Sequence, residues 1–232
     1  MMSEKSLIEM MEIVAGGLGD LLERVVFVGG ATTPLYYEDA AATRIRPTTD
    51  VDCIVEIVSR GQYNIFEDEL RRLMFKNDIR LGAPLCRWIY EDITVDVMPI
   101  NEQILGFSNR WYPEGIRNST TASLPSGREI SIFSLPYFVA TKIEAFKNRG
   151  GGDFRISHDI EDIVIVLDSL VDFSRMHRAP DSVTQYLQEE FKIIINDDQF
   201  IESVSGYIGY SQTSAGRAMR VVEFMKEYSE MK

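Results

Sequence analysis

The stretch from Val25 to Ile57 constrains this chain most: a short apolar run, a Gly29-Gly30 turn, and an alternating run that carries two aspartates. Val25-Val26-Phe27-Val28 is β-branched and aromatic and predicts a short buried strand; Thr49-Asp50-Val51-Asp52-Cys53-Ile54-Val55 predicts a second. Residues two apart on a strand share a face, so Asp50 and Asp52 point the same way, about 6.5–7 Å apart at Cα. Val51, Cys53, Val55 and Ile57 then line the opposite, core face. A third alternating run, Ile93-Thr94-Val95-Asp96-Val97-Met98, turns Asp96 outward with Thr94 and Met98. If these strands are neighbours, at about 4.8 Å, three carboxylates converge on one patch. Like charges that close repel one another, and a pair of Mg²⁺ (or Mn²⁺) ions about 3.5–4 Å apart would neutralise them. Such a pair also clamps the attacking and leaving oxygens of an in-line displacement at phosphorus, which makes the set suited to two-metal nucleotidyl transfer. The plainer alternative is that acidic residues simply mark strand ends and exposed faces.

The glycine turn adds to the pattern. Gly29-Gly30 permits a tight exit from the first strand, and Thr32 or Thr33 before Pro34 reads as a helix N-cap with proline at the first helical position. Backbone N–H groups at such a junction attract phosphate, so Gly29, Gly30 and Thr32 are candidates for cradling a nucleoside triphosphate. Arg44 and Arg46 flank the acidic strand, placed either to reach a triphosphate or to pair with the carboxylates. Arg87, ahead of Trp88 in the strand before Asp96, is a further candidate to face the site.

Downstream, Ser134 reads as an N-cap, with Pro136 in the first turn of a helix reaching about Lys147. Phe138, Lys142 and Phe146 are four apart, which puts Lys142 on or beside the apolar stripe, where it must snorkel, pair or face a polar cavity. Asp159, Glu161 and Asp162 open another helix. Carboxylates there complement the helix dipole without any chemistry, although Asp159 and Asp162 share a face and could act jointly on substrate, metal or an arginine. His158, in the same turn, reads equally as a capping residue or a participant, and Gly150-Gly151-Gly152 as a flexible linker.

Gly-Gly, a helix, then Arg46-x-Thr48-x-Asp50-Val51-Asp52 resembles the DNA polymerase β-like nucleotidyltransferase superfamily, and within it the AbiEii-type group that includes type IV toxin–antitoxin toxins. The resemblance continues through Ile130–Ser134, Ala140–Phe146 and Ser157–Ile163 and so covers about residues 25 to 170. It implies Asp50, Asp52 and Asp96 as metal ligands and Lys142 as a lysine on the nucleotide's phosphates, with Arg46 at the nucleotide and Asp159 and Asp162 as further catalytic acids. The implied acceptor is an RNA or tRNA end or a protein residue, with an antitoxin protein as partner. The span from Gly30 to Asp50 is longer than is usual in the superfamily. An antibiotic-modifying nucleotidyltransferase acting on a small molecule is the alternative within the enzyme class, and a non-catalytic nucleotide-binding module the alternative outside it.

Composition sets the remaining bounds. With 36 acidic against 24 basic residues the chain carries a net charge of −12, which opposes broad, non-specific binding to nucleic acid. No apolar run is long enough to cross a bilayer, and Met1–Lys5 opens no signal-peptide pattern, so a cytoplasmic protein is expected. Cys53 and Cys86 fall in predicted strands without metal-type spacing and read best as buried free thiols. Residues 4–15 predict an amphipathic helix ended by Gly16-Gly17, and Tyr63–Lys76 another, with Phe66, Leu70, Leu73 and Met74 on one side. Glu91-Asp92 predicts a hairpin turn, residues 101–128 loops with one short strand, and 181–195 and 213–232 helices. The expected fold is α+β: a polymerase β-like core of a small mixed sheet flanked by helices over residues 1–133, then a helical part over 134–232.

Overall fold

The computed structural model describes residues 5–39, 46–149, 152–209 and 213–231. The chain forms two compact units, one of Met1–Pro34 with Pro47–Ser134, the other of Leu35–Arg46 with Leu135–Lys232.

The first unit is built on a seven-stranded mixed sheet. Its strands are β1 (Val25–Val28), β2 (Asp50–Val55), β3 (Lys76–Asn77), β4 (Arg87–Tyr90), β5 (Ile93–Pro99), β6 (Ser119–Ser123) and β7 (Glu129–Phe133). They lie in the order β3-β4-β5-β2-β1-β7-β6. β2 therefore sits mid-sheet, antiparallel to β1 and parallel to β5. Such a strand is expected to be apolar on its covered face, and Val51, Cys53 and Val55 are all 1% exposed or less. Among the described residues of this unit the helices are α1 (Leu7–Leu18), α2 (Arg60–Arg72), α3 (Glu102–Leu105) and α4 (Tyr112–Arg117). α1 packs on β2 and β5, with its Met11 and Val14 fully buried, while Tyr63 of α2 donates its hydroxyl to the Val97 carbonyl at 2.8 Å.

Three local expectations give way here. Gly16-Gly17 does not end α1. A Cβ on Gly17 would lie 2.4 Å from the Tyr90 ring, so this glycine, in the helix's last turn, is a site of close packing. The helix stops instead at Gly19, with φ of 51°. α2 starts earlier than expected, capped by Ser59, and ends before Met74, which has φ of 70° and is exposed rather than on the buried side. Residues 101–128 hold two short helices as well as the expected strand.

The second unit is helical. Its helices are α5 (Leu135–Arg149), α6 (His158–Ser169), α7 (Asp181–Ile194), α8 (Asp198–Ile208) and α9 (Ser214–Ser229). α5 packs on α6 and α7, and α9 on α6, α7 and α8. Aromatic pairs fill the contacts: Phe146, Phe154 and Phe200 run in series, and Phe173 stacks on Phe224 at 3.8 Å. The excursion Leu35–Arg46 belongs with these helices because the Asp39 N–H donates to the Ser169 carbonyl, Arg175 donates to the Tyr36 carbonyl, and the Tyr36 ring packs on Phe138.

No helix among the described residues is long and apolar enough to cross a membrane.

Candidate metal centre

The parallel register of β2 and β5 sets Asp50 opposite Thr94 and Asp52 opposite Asp96. Directly paired residues share a face, so Asp52 and Asp96 project side by side, with Asp50 two positions back on the same side. The outcome is a cluster in which each carboxylate offers an oxygen within 4.8 Å of the others. Asp50 is also held locally, since the Thr48 hydroxyl donates to it at 2.7 Å.

The β4–β5 hairpin adds a cation to the same row. Its two-residue turn, Glu91-Asp92, has positive φ at both positions, as the tight primed hairpin turns require. Counting back from the turn pairs Tyr90 with Ile93 and Arg87 with Asp96. Arg87 consequently grips Asp96 in a fork, Nε to Oδ1 at 2.8 Å and Nη2 to Oδ2 at 2.7 Å, and its Nη2 lies 3.8 Å from Asp50 Oδ2. Those hydrogen bonds to Asp96 hold the guanidinium's pKa above its ordinary value.

The glycine turn touches this row too. Gly29 has φ of 74°, and a Cβ built on it would lie 2.1 Å from Asp52 Oδ2. Gly29 thus supplies both a left-handed backbone and the space into which the Asp52 carboxylate fits. Gly29→Ala is expected to destabilise the fold by about 1–3 kcal/mol and to displace Asp52. Urea denaturation together with Mn²⁺ titration checks both effects; unchanged stability and unchanged metal binding would refute this role.

The segment after Gly29 differs from the expected N-cap. A 3₁₀ helix spans Gly30–Tyr36, with Pro34 inside it. The positive φ at Gly29 turns the chain early, so Thr32 and Thr33 lie within the helix rather than ahead of it. Thr32 is fully buried, and its hydroxyl donates back to the Gly29 carbonyl at 2.9 Å. It braces the turn.

Cys53 and Cys86 are buried and free. Burial and the nearby aspartates push both thiols up, Cys86 to about 12.

The other candidate residues gather in the second unit. Lys142 does not snorkel: it is 6% exposed and donates to Asp162 at 2.6 Å and Asp159 at 3.2 Å. Arg46 donates to both oxygens of Asp162, at 2.9 and 3.1 Å, and Arg149 to both of Asp159, at 3.2 and 3.1 Å. Burial opposes the charge on Lys142, but the two aspartates outweigh it and raise its pKa. Burial likewise opposes the charge on Asp159, and Lys142 and Arg149 overcome it to hold the acid below its usual range. Ser157 caps α6, and His158 is an exposed neighbour of Glu161 at 3.3 Å. Arg44, Gly150 and Gly151 lie outside the described residues.

Arg149 and the Gly29–Asp52 contact were not singled out from sequence, and Thr48 was named there only as part of the motif, without a role. Thr48 had a usable signal, since a hydroxyl two residues before a strand-borne aspartate is within reach of it. Comparison with known proteins finds no matching family model and no matching curated protein.

Proposed function

We propose that this chain is a metal-dependent nucleotidyltransferase that moves a nucleoside monophosphate from a nucleoside triphosphate to a hydroxyl acceptor, on a core of the polymerase β-like kind. One observation carries the reading: three carboxylates on adjacent strands, each with an oxygen within 4.8 Å of the others, packed against a glycine turn. The donor set fits Mg²⁺ or Mn²⁺, which take oxygen ligands at about 2.1 Å and so hold neighbouring ligand oxygens about 3 Å apart. Asp50, Asp52 and Asp96 would hold such ions through their carboxylate oxygens.

In this reading Asp50, Asp52 and Asp96 hold the ions. When bound, the ions would supply Lewis-acid polarisation of the phosphoryl oxygens and a lowered pKa for the attacking hydroxyl. Asp96, the most buried of the three, would take the acceptor's proton as its oxygen attacks the α-phosphorus. The new P–O bond forms as the bond to pyrophosphate breaks. Gly29 and Gly30 would let the triphosphate approach the backbone beside Asp52.

The acceptor is proposed as an RNA end, a protein side chain or a small molecule. The net charge of −12 favours one held locally at the centre over one bound along an extended surface. An antitoxin partner and a cytoplasmic setting belong to the same proposal, and the two unpaired thiols suit a reducing compartment. Arg87's hold on Asp96 favours a second reading, in which the site senses nucleotide without transferring it.

The test is a transfer assay with purified protein, Mg²⁺ or Mn²⁺, each α-labelled nucleoside triphosphate and a cell extract. Label that moves into RNA, protein or a small molecule, and fails to move with Asp50→Asn, supports transfer and names the acceptor class. Nucleotide that binds with metal but is never transferred supports the sensing reading.

A further inference from the structure

We propose that Arg87 is a resident counter-ion that competes with the incoming metal for Asp96, so that loading the centre exchanges one cation for another. The inference rests on the metal reading of the three carboxylates.

Register places Arg87, Asp96 and Asp52 in one row across β4, β5 and β2, so the guanidinium belongs to the centre through the fold itself. Both oxygens of Asp96 accept from the one arginine, and the same Nη2 reaches to 3.8 Å from Asp50. The Asp96 side chain is 11% exposed, which leaves water little room to take over from a lost partner. An arginine cannot shed its proton, so the competing charge is present at every working pH.

Charge counting gives the consequence. Among the described residues, these three carboxylates and the Arg87 guanidinium leave two negative charges, which a single divalent ion cancels. A second ion would make the centre positive and needs a polyanion beside it. The centre therefore holds free metal weakly and gains its second ion together with the triphosphate.

The experiment is Mn²⁺ titration at neutral pH and fixed ionic strength, followed by the electron paramagnetic resonance of free Mn²⁺, on wild type, Arg87→Gln, Arg87→Lys and Asp52→Asn. Removing a like charge a few ångströms from the ion is expected to tighten Mn²⁺ binding about tenfold or more in Arg87→Gln. Arg87→Lys, which keeps the charge and loses the fork, should stay within about threefold of wild type. Equal or weaker binding by a folded Arg87→Gln would overturn the inference and make Arg87 a residue that merely orients Asp96. Should that variant fail to fold, Arg87→Lys decides: wild-type affinity supports competition by charge, and a large loss overturns it. Failure of the metal reading looks different, since no protein would then bind Mn²⁺, or Asp52→Asn would bind it as wild type does.

Discussion

Asp52→Asn is expected to lower nucleotidyl transfer by about 10³-fold or more while changing folding stability by less than about 1 kcal/mol. The two effects separate for a physical reason. Asp52 lies beside Asp96 in register and shares its face with Asp50, so the three like charges repel one another and would be favoured beside bound cations. An asparagine amide keeps the shape that fits against Gly29 but removes one carboxylate from the metal set. Steady-state transfer and urea denaturation on one preparation measure both quantities. Full activity in Mg²⁺ would eliminate Asp52 as a ligand, and a collapse in stability would make it a structural acid.

Lys142→Met is expected to destabilise the protein by about 3–5 kcal/mol. The thioether keeps much of the side chain's volume and removes the ammonium, leaving Asp162, 1% exposed, and Asp159 short of one cation. Arg46 and Arg149 remain on them, which sets the loss nearer the lower end of that range. Denaturant midpoints check this directly. An unchanged midpoint with weakened nucleotide binding would instead make Lys142 a phosphate contact. The cluster also fixes the pH response. The pKa of Lys142 is raised in the fold, so its contribution is complete below the unfolded value of about 10.4 and fades as pH rises through the folded one. Asp159 is depressed, so its contribution is complete above about pH 3.9 and fades as pH falls. Stability from this cluster should be flat through neutrality and fall in acid, and Asp159→Asn should make that acid limb shallower. An identical limb in that variant would refute the assignment.

The carboxylate row was legible because strand alternation leaves no freedom: Asp50 and Asp52 must share a face, and Asp96 must oppose the core residues Val95 and Val97. That β2 and β5 would be neighbours was not legible, since it depends on strand order and on a parallel register that no local pattern encodes. Arg87 shows an intermediate case. Its place opposite Asp96 follows from counting back from the Glu91-Asp92 turn, a step that needs only the turn length. Gly16-Gly17 misled because glycine both ends helices and admits close neighbours, and only the Tyr90 ring decides between them. For Lys142 the sequence offered snorkelling, pairing or a polar cavity. The choice fell to Asp159 and Asp162, 17 and 20 residues further along the chain, with Arg46, 116 residues from Asp162, on the same acid. α8 gave a weak signal, since Ser203, Val204, Ser205 and Gly206 are indifferent helix formers. Its start is nonetheless marked by Asp197, whose carboxylate caps the first turn.

In the proposed function Asp50, Asp52 and Asp96 hold the ions of a nucleotidyl transfer site. The most direct test is anomalous diffraction from crystals containing Mn²⁺ and a non-hydrolysable nucleoside triphosphate. The expected result is manganese density about 2.1–2.2 Å from oxygens of all three aspartates, with the triphosphate's oxygens completing the coordination. Manganese bound elsewhere, or a triphosphate seated away from these three carboxylates, would contradict it.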